Sequence, residues 1–321
     1  MNRIDYNTPI ATLQQLLEAK GWIGEEQIVA VEKAGESNMN MVMKVDTDRR
    51  SFILKQSRPY VFKYPNVAAP EARTLTEYRF FKEIKSTSLV GQMPTILQFD
   101  AKDYLMMMDY VHNAKDMTYL YERREVPLDS FNSLMESLNI LHGSSPVDYP
   151  SNIELRELNH QHIFHLPFLE ENGFALDTVQ PGLQSLAEPF KTDTALKQKV
   201  KELGAHYLEP GNVLLHGDYY PGSWMQTDEQ IYIIDAEFSH YGFCEFDLGV
   251  MAGHLIMVTS DTSYLDRVLK AYAHEYEEQR VLQVAGTEII RRLIGLAQLP
   301  LIRTLEEKSQ LLDMAKKLLL S

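Results

Sequence analysis

The chain has 321 residues, 45% hydrophobic and 24% charged, the profile of a globular protein with room for two lobes. Its formal charge is −14, and its longest basic clusters are the pairs Arg49-Arg50, Arg123-Arg124 and Arg291-Arg292, so nucleic acid is not expected as a partner. One cysteine, Cys244, excludes a disulfide framework and a thiolate zinc site. No apolar run approaches the ~18 to 20 residues of a bilayer span, and the start, MNRIDYNTPI, has no apolar leader, so a cytoplasmic location without membrane partners is expected.

Taken in order, residues 10–20 (IATLQQLLEAK) have helical spacing, with Thr8 as N-cap and Gly21 as stop. IVAVEKAG, MNMVMKVDT and SFILKQ read as three strands joined by the turns ESN and DRR, an antiparallel meander. Residues 70–85 read as a helix with Pro70 in its first turn. Residues 94–100 and 104–110 add two strands around AKD. From there the pattern turns helical: 129–142 ending at Gly143, short pieces through a Pro-, Asn- and His-rich stretch over 144–190, then 191–208, 246–258, 262–282, 286–298 and 303–320. Thr304 and Glu307 form a capping box for the last of these. The fold expected is α+β and two-lobed, a small five-stranded lobe with one main helix over residues 1–109 and a mostly helical lobe over 110–321.

Chemistry concentrates between Val213 and Gly249. The apolar run Val213 to Leu215 leads into His216-Gly217-Asp218, and the run Ile231 to Ile234 ends directly in Asp235, with Glu237 two positions on. Charge beside a buried strand is costly unless something pairs with it. Two such acids suggest strand ends that present carboxylates to a shared cation or substrate, as phosphoryl transfer requires. Asp218 is placed to accept a hydrogen bond from an attacking hydroxyl, and Asp235 and Glu237 to hold magnesium. His216 reads as bracing its loop, and Asp247 as a capping or loop-bracing carboxylate.

The first lobe offers a complement. Lys55 closes the apolar strand SFILK, where an ammonium needs an anion, and Glu77 in the next helix is its best partner, ahead of Glu71 and Glu83. The turn GESNMN reads equally as a plain polar β-turn or as donors for phosphate oxygens from Ser37, Asn38 and Asn40. Asp109, Tyr110 and Val111 follow the buried-looking run Met106 to Met108, at the end of the first lobe.

At these residues the chain resembles the aminoglycoside phosphotransferase and choline kinase superfamily of protein-kinase-like enzymes. HGD followed by Ser223, then Asp235-Ala236-Glu237-Phe238, is similar to the methylthioribose kinase branch, as are AGESNMNMVMKV, FILKQSRPYV and the arginine pair in IIRRLIGLAQLP. The resemblance implies transfer of phosphoryl from ATP to the anomeric hydroxyl of 5-methylthioribose in methionine salvage, with Mg2+. It implies that Asn38, Lys55 and residues 109–111 contact ATP, that Asp218 is catalytic, that Asp235 and Glu237, with Ser223, hold the metal, and that Arg291, Arg292 and Tyr220 face the substrate. On a helix the two arginines point about 100° apart, so one is expected to reach inward, Arg292 in preference. The chain departs from the branch in being shorter and in Tyr219-Tyr220-Pro221 after the aspartate. Those tyrosines with Trp224 would make an aromatic wall, unless Trp224 is core. An aminoglycoside, macrolide or choline-type acceptor stays open, as do a non-catalytic nucleotide-binding homologue and a homodimer.

Overall fold

Hydrophobic alternation builds the sheet of the first unit. A computed structural model describes every residue except 1–2, 36–37, 85–86 and 146–148. The chain divides into two units, Met1–Ala114 with Tyr232–Phe238, and Lys115–Ile231 with Ser239–Ser321. In the first, α1 (Ile10–Ala19) precedes β1 (Ile28–Lys33), β2 (Met41–Thr47) and β3 (Ser51–Gln56). A hairpin of β4 (Tyr60–Val61) and β5 (Tyr64–Ala68) follows, then α2 (Arg73–Ile84), β6 (Ile96–Asp100) and β7 (Leu105–Asp109). The five-stranded sheet runs β1-β2-β3-β7-β6, each neighbour antiparallel. Met41, Met43 and Val45 of β2, with Phe52 and Leu54 of β3, share one buried cluster with Leu13 and Leu17 of α1. A strand turns alternate side chains to opposite faces, so Lys55 leaves the sheet on the other side. Met106 to Met108 are buried in β7, as core.

Two helix starts differ from expectation. Thr8 does not cap α1; its hydroxyl accepts from the Asp5 N–H at 2.8 Å, and Pro9 holds the cap position. α2 opens at Arg73 rather than 70, because the Arg73 guanidinium donates to the carbonyls of Pro70 and Arg58 and fixes the entering chain. The hairpin at 60–68 has no strong alternation and escaped the sequence reading. The turn residue Ser37 lies outside the described residues.

The second unit is largely helical. It comprises β8 (Lys115–Asp116), α3 (Tyr119–Arg123), α4 (Leu128–His142), α5 (Ile153–His160), α6 (Leu183–Thr192), α7 (Thr194–Tyr207), β9 (Val213–Leu215) and β10 (Trp224–Gln226). β11 (Ile231–Ile233) spans the division at Ile231/Tyr232. Then come β12 (His240–Gly242), α8 (Glu245–Thr259), α9 (Ser263–Ala271), α10 (Glu278–Ile294) and α11 (Leu305–Leu319). β9 pairs with β12 and β10 with β8. The Thr304–Glu307 capping box is formed.

The expected helices 262–282 and 286–298 are corrected. The break falls between Ala271 and Glu278, and Gly286 lies inside α10. A Cβ at Gly286 would stand 2.5 Å from the Ala315 carbonyl oxygen, so this glycine lets α10 and α11 touch. Gly249 of α8 plays the same part: a Cβ there would lie 2.4 Å from Val284 Cβ. Such close approach makes α8 and α10 one packed pair, with α8 buried along nearly its whole length. No helix among the described residues is long and apolar enough to cross a membrane.

Candidate active site

The first unit gathers its charges around Lys55. Its Nζ lies 2.9 Å from Glu77 Oε1, 2.7 Å from Oε2 and 2.6 Å from Asp235 Oδ1. Lys55 is 2% exposed and Glu77 is fully buried. Burial pulls the ammonium down, but Asp235, Glu77 and Glu237 overcome it and hold the lysine above its usual range. Burial likewise pushes the Glu77 carboxyl up, with Lys55 opposing. The lysine decides the pair's state: three carboxylates surround one ammonium, and it keeps its proton.

Asp235 follows β11 in the left-handed region, φ 61°, which an aspartate tolerates better than most residues. Its side chain keeps 49% exposure. Glu237, in the turn Ala236–Phe238, is buried; its Oε2 accepts from Asn40 Nδ2 at 2.8 Å and lies 3.4 Å from Arg73 Nε. Asn40 Oδ1 in turn accepts from Arg73 Nε, so Asn40 is spent on this brace. Burial raises the Glu237 carboxyl, against Lys55 and Arg73.

In this cluster Lys55 and Arg73 face Glu77, Asp235 and Glu237, two positive charges against three negative, and the exposed oxygens belong to Asp235. Magnesium takes one or two carboxylates and keeps the rest of its shell for water and phosphate. Asp235 is the carboxylate accessible to such an ion, and Asn40 and Arg73 brace Glu237. Among the described residues no group of three or more His, Cys, Asp or Glu side chains could hold a metal.

The second unit builds a different cluster around Asp218. β9 delivers His216, which is fully buried, and its Nδ1 accepts from the Asp218 N–H at 3.3 Å. Asp247, in the first turn of α8, accepts from the N–H groups of His216 (2.7 Å) and Gly217 (3.0 Å) and from His142 Nε2 at 3.2 Å. Burial raises the Asp247 carboxyl, but these donors, His142 foremost, leave it below its usual range. It is the loop brace the sequence suggested, and His216 is structural.

Both arginines of α10 reach Asp218. Arg292 Nη2 donates to Asp218 Oδ1 at 3.1 Å, and Arg291 Nη2 stands 3.8 Å from the same oxygen. The expectation of one inward arginine is therefore corrected: both are 6% exposed. The reason is Glu288, three and four positions back, where helix neighbours meet. Its Oε2 accepts from Arg291 Nε at 2.5 Å and its Oε1 from Arg292 Nε at 2.8 Å. Burial raises the Asp218 carboxyl, with Arg292 and Arg291 opposing.

Tyr220 lies under Arg292, the guanidinium carbon 4.5 Å from its ring, and 4.8 Å from the His254 ring. Tyr219 and Trp224 form no aromatic wall. Both are buried, packed edge to face at 5.2 Å, and the Tyr219 hydroxyl donates to the Leu134 carbonyl. Ser223 is buried in the turn Pro221–Ser223. Asn38 is exposed, its carbonyl accepting from the Lys63 N–H. Asp109 ends β7 opposite Phe52; Tyr110 and Val111 are half-buried, and the Tyr110 ring carries the Lys44 ammonium at 4.8 Å.

Sequence reasoning missed Glu288, His254 and Tyr121. The signal for Glu288 was present, an acid three and four positions before two arginines. His254 and Tyr121 carried none, because their contacts come from helix packing.

Comparison with known proteins agrees with this picture. The phosphotransferase enzyme family model matches residues 35–282, well over half the chain. Methylthioribose kinase 1 of Oryza sativa subsp. japonica is 26% identical over 249 residues, covering 73% of this chain, which spans 57% of that protein's length. The methylthioribose kinase of Exiguobacterium sibiricum is 27% identical over 350 residues, covering 93% of this chain and 87% of that one. A choline kinase structure from Streptococcus pneumoniae superposes with a TM-score of 0.53 at 15% identity, over 88% of this chain and 87% of that one. The last likeness bears on fold alone, a protein-kinase-like one. On the family match, on its similarity to methylthioribose kinases and on this fold, the chain belongs to the phosphotransferase enzyme family.

Proposed function

We propose that the chain is an ATP-dependent kinase of a small-molecule alcohol, with 5-methylthioribose as acceptor and its 1-phosphate as product. Phosphoryl transfer needs two chemistries, a site that neutralises phosphates and an acid that orients a hydroxyl. Each unit carries one of them.

In this reading the first unit binds the nucleotide. Lys55 binds phosphate oxygens and Glu77 fixes it, while Asn38 borders the phosphates and the backbone of 109–111 meets the base. Asp235 would hold magnesium, which when bound draws charge from the phosphate oxygens. In the second unit Asp218 accepts the hydrogen bond of the attacking hydroxyl and aims its lone pair. The raised carboxyl makes it a better proton acceptor late in transfer. Arg291 and Arg292 offset the charge that gathers there, and Tyr220 gives the acceptor a flat face.

The observation that carries the choice of acceptor is the charge balance at Asp218. Two guanidinium groups meet two carboxylates, Asp218 and Glu288, leaving no surplus negative charge for a cationic acceptor. The net charge of −14 does not reverse this, since exposed charges are screened beyond ~8 Å at physiological salt. A neutral sugar suits the site; an aminocyclitol or a choline-like amine does not.

Release of ADP tests this across a panel of acceptors with ATP and magnesium. Turnover is expected with methylthioribose and not with choline or an aminocyclitol antibiotic. Turnover with the aminocyclitol and none with the sugar would overturn the proposal.

A further inference from the structure

Glu288 is fully enclosed, 1% exposed, and every contact it makes points toward one task. Its Oε2 takes the Nε–H of Arg291, and its Oε1 takes the Nε–H of Arg292. Each guanidinium is thereby held by its Nε edge, leaving the Nη2 end to turn to Asp218. Oε1 also accepts from His254 Nε2 at 2.8 Å. With its proton on Nε2, His254 presents Nδ1 as an acceptor, and the Tyr121 hydroxyl donates to it at 2.5 Å. Tyr121, His254 and Glu288 come from α3, α8 and α10, so three helices converge on this carboxylate.

Electrostatics agree with the geometry. Burial alone would raise the Glu288 carboxyl, yet Arg291, Arg292 and His254 hold it well below its usual range. Burial, against Glu288, takes His254 down to about 4, so the imidazole is neutral at neutral pH and fixed in one tautomer. Asp218 attracts both cations, but adjacent arginines point about 100° apart on a helix, and Glu288 is the group that takes each by its Nε edge.

We propose that Glu288 is a positioning residue that sets Arg291 and Arg292 on Asp218, with Tyr121 and His254 fixing the carboxylate's own orientation. The reading of Asp218 as the group that orients the acceptor hydroxyl underlies the kinetic part of this proposal. Glu288 itself touches no reacting atom. It acts by preorganising charge where it is needed, the arrangement that costs no reorganisation during reaction.

The test uses Glu288→Gln in the full chain. Its amide has one acceptor oxygen and turns donor hydrogens toward a guanidinium, so it cannot serve both Nε–H groups. The direct readout is the arginine Nε–Hε NMR spectrum, with the two signals assigned by their loss in Arg291→Lys and Arg292→Lys. Both are expected slow to exchange in the wild type and lost or fast in Glu288→Gln, while the buried Arg73 signal stays as an internal control of folding. In kinetics with the acceptor that turns over, kcat is expected to fall on the order of 10²-fold, as when one oxyanion donor is removed, with KM for the acceptor changed less than about threefold. A purely structural role would lower active concentration and leave both constants of the folded fraction unchanged.

If Glu288→Gln does not fold, the lysine variants carry the test. Lysine lacks the fork that spans Glu288 and Asp218 together, so each should lower kcat, Arg292→Lys more than Arg291→Lys. Intact guanidinium signals and wild-type kcat in Glu288→Gln, or wild-type kcat in both lysine variants, would overturn the proposal. A wild type with no turnover on any acceptor would sink the kinase reading instead, and the guanidinium signals would still decide the clamp.

Discussion

The two charged clusters are built on opposite principles. Around Lys55 the charges do not balance, and one carboxylate, Asp235, remains half-exposed in left-handed backbone. Around Asp218 they do balance, and the arginines and Glu288 are buried. An open cluster with surplus negative charge invites a cation. A closed, neutral cluster holds its own groups still. The roles proposed for them, binding for the first and aiming for the second, rest on that difference.

That contrast can be broken most severely at Lys55. Lys55→Met leaves Glu77 buried without its cation, and breaking a buried pair from one side costs ~3–5 kcal/mol. Urea unfolding should show that loss, and Glu77→Gln in the same background should restore a good part of it. Wild-type stability in Lys55→Met would mean that the pair does not carry the unit.

A smaller effect is expected from pH at the closed cluster. The unfolded chain protonates this histidine near its usual 6.5, whereas folded His254 does so only near 4. The folded state therefore binds fewer protons, and stability present above pH 6.5 drains as pH falls toward 4, by about 1.4 kcal/mol per unit. His254→Gln keeps a donor for Glu288 and an acceptor for Tyr121 but cannot titrate. Urea midpoints across this window should slope less in the variant; equal slopes would remove His254 from the account. The smallest effect belongs to Asp235→Asn: a half-exposed pair contributes at most ~1 kcal/mol, so stability should hardly change while the magnesium dependence of turnover is lost.

The same contrast explains what could be read from sequence. Lys55 and Asp235 were legible because charge inside or beside an apolar run has to be explained. The meander was legible because β2 alternates cleanly and β3 is a short apolar run between turn residues. Glu288 had a local signal in its spacing to the two arginines but none for its burial, since an acid on an amphipathic helix reads as surface; α8 meets it at Gly253, where a Cβ would stand 3.4 Å from the Glu288 Cβ. The place of Gly286 inside α10 was hidden for a related reason. Its use as a contact with α11 appears only in three dimensions. Tyr219 and Tyr220 are adjacent and alike in sequence, yet one is core and the other lies under Arg292.

The role proposed for Asp218, aiming a hydroxyl rather than binding nucleotide, is tested directly by one experiment. Wild type and Asp218→Asn are compared by 31P NMR with ATP, magnesium and methylthioribose, alongside binding of a non-hydrolysable ATP analogue. A sugar phosphate signal is expected whose rate of appearance falls ~10²- to 10⁴-fold in the variant, with analogue affinity unchanged within about threefold. Product formed by Asp218→Asn at the wild-type rate, or analogue binding lost with the carboxylate, would contradict it.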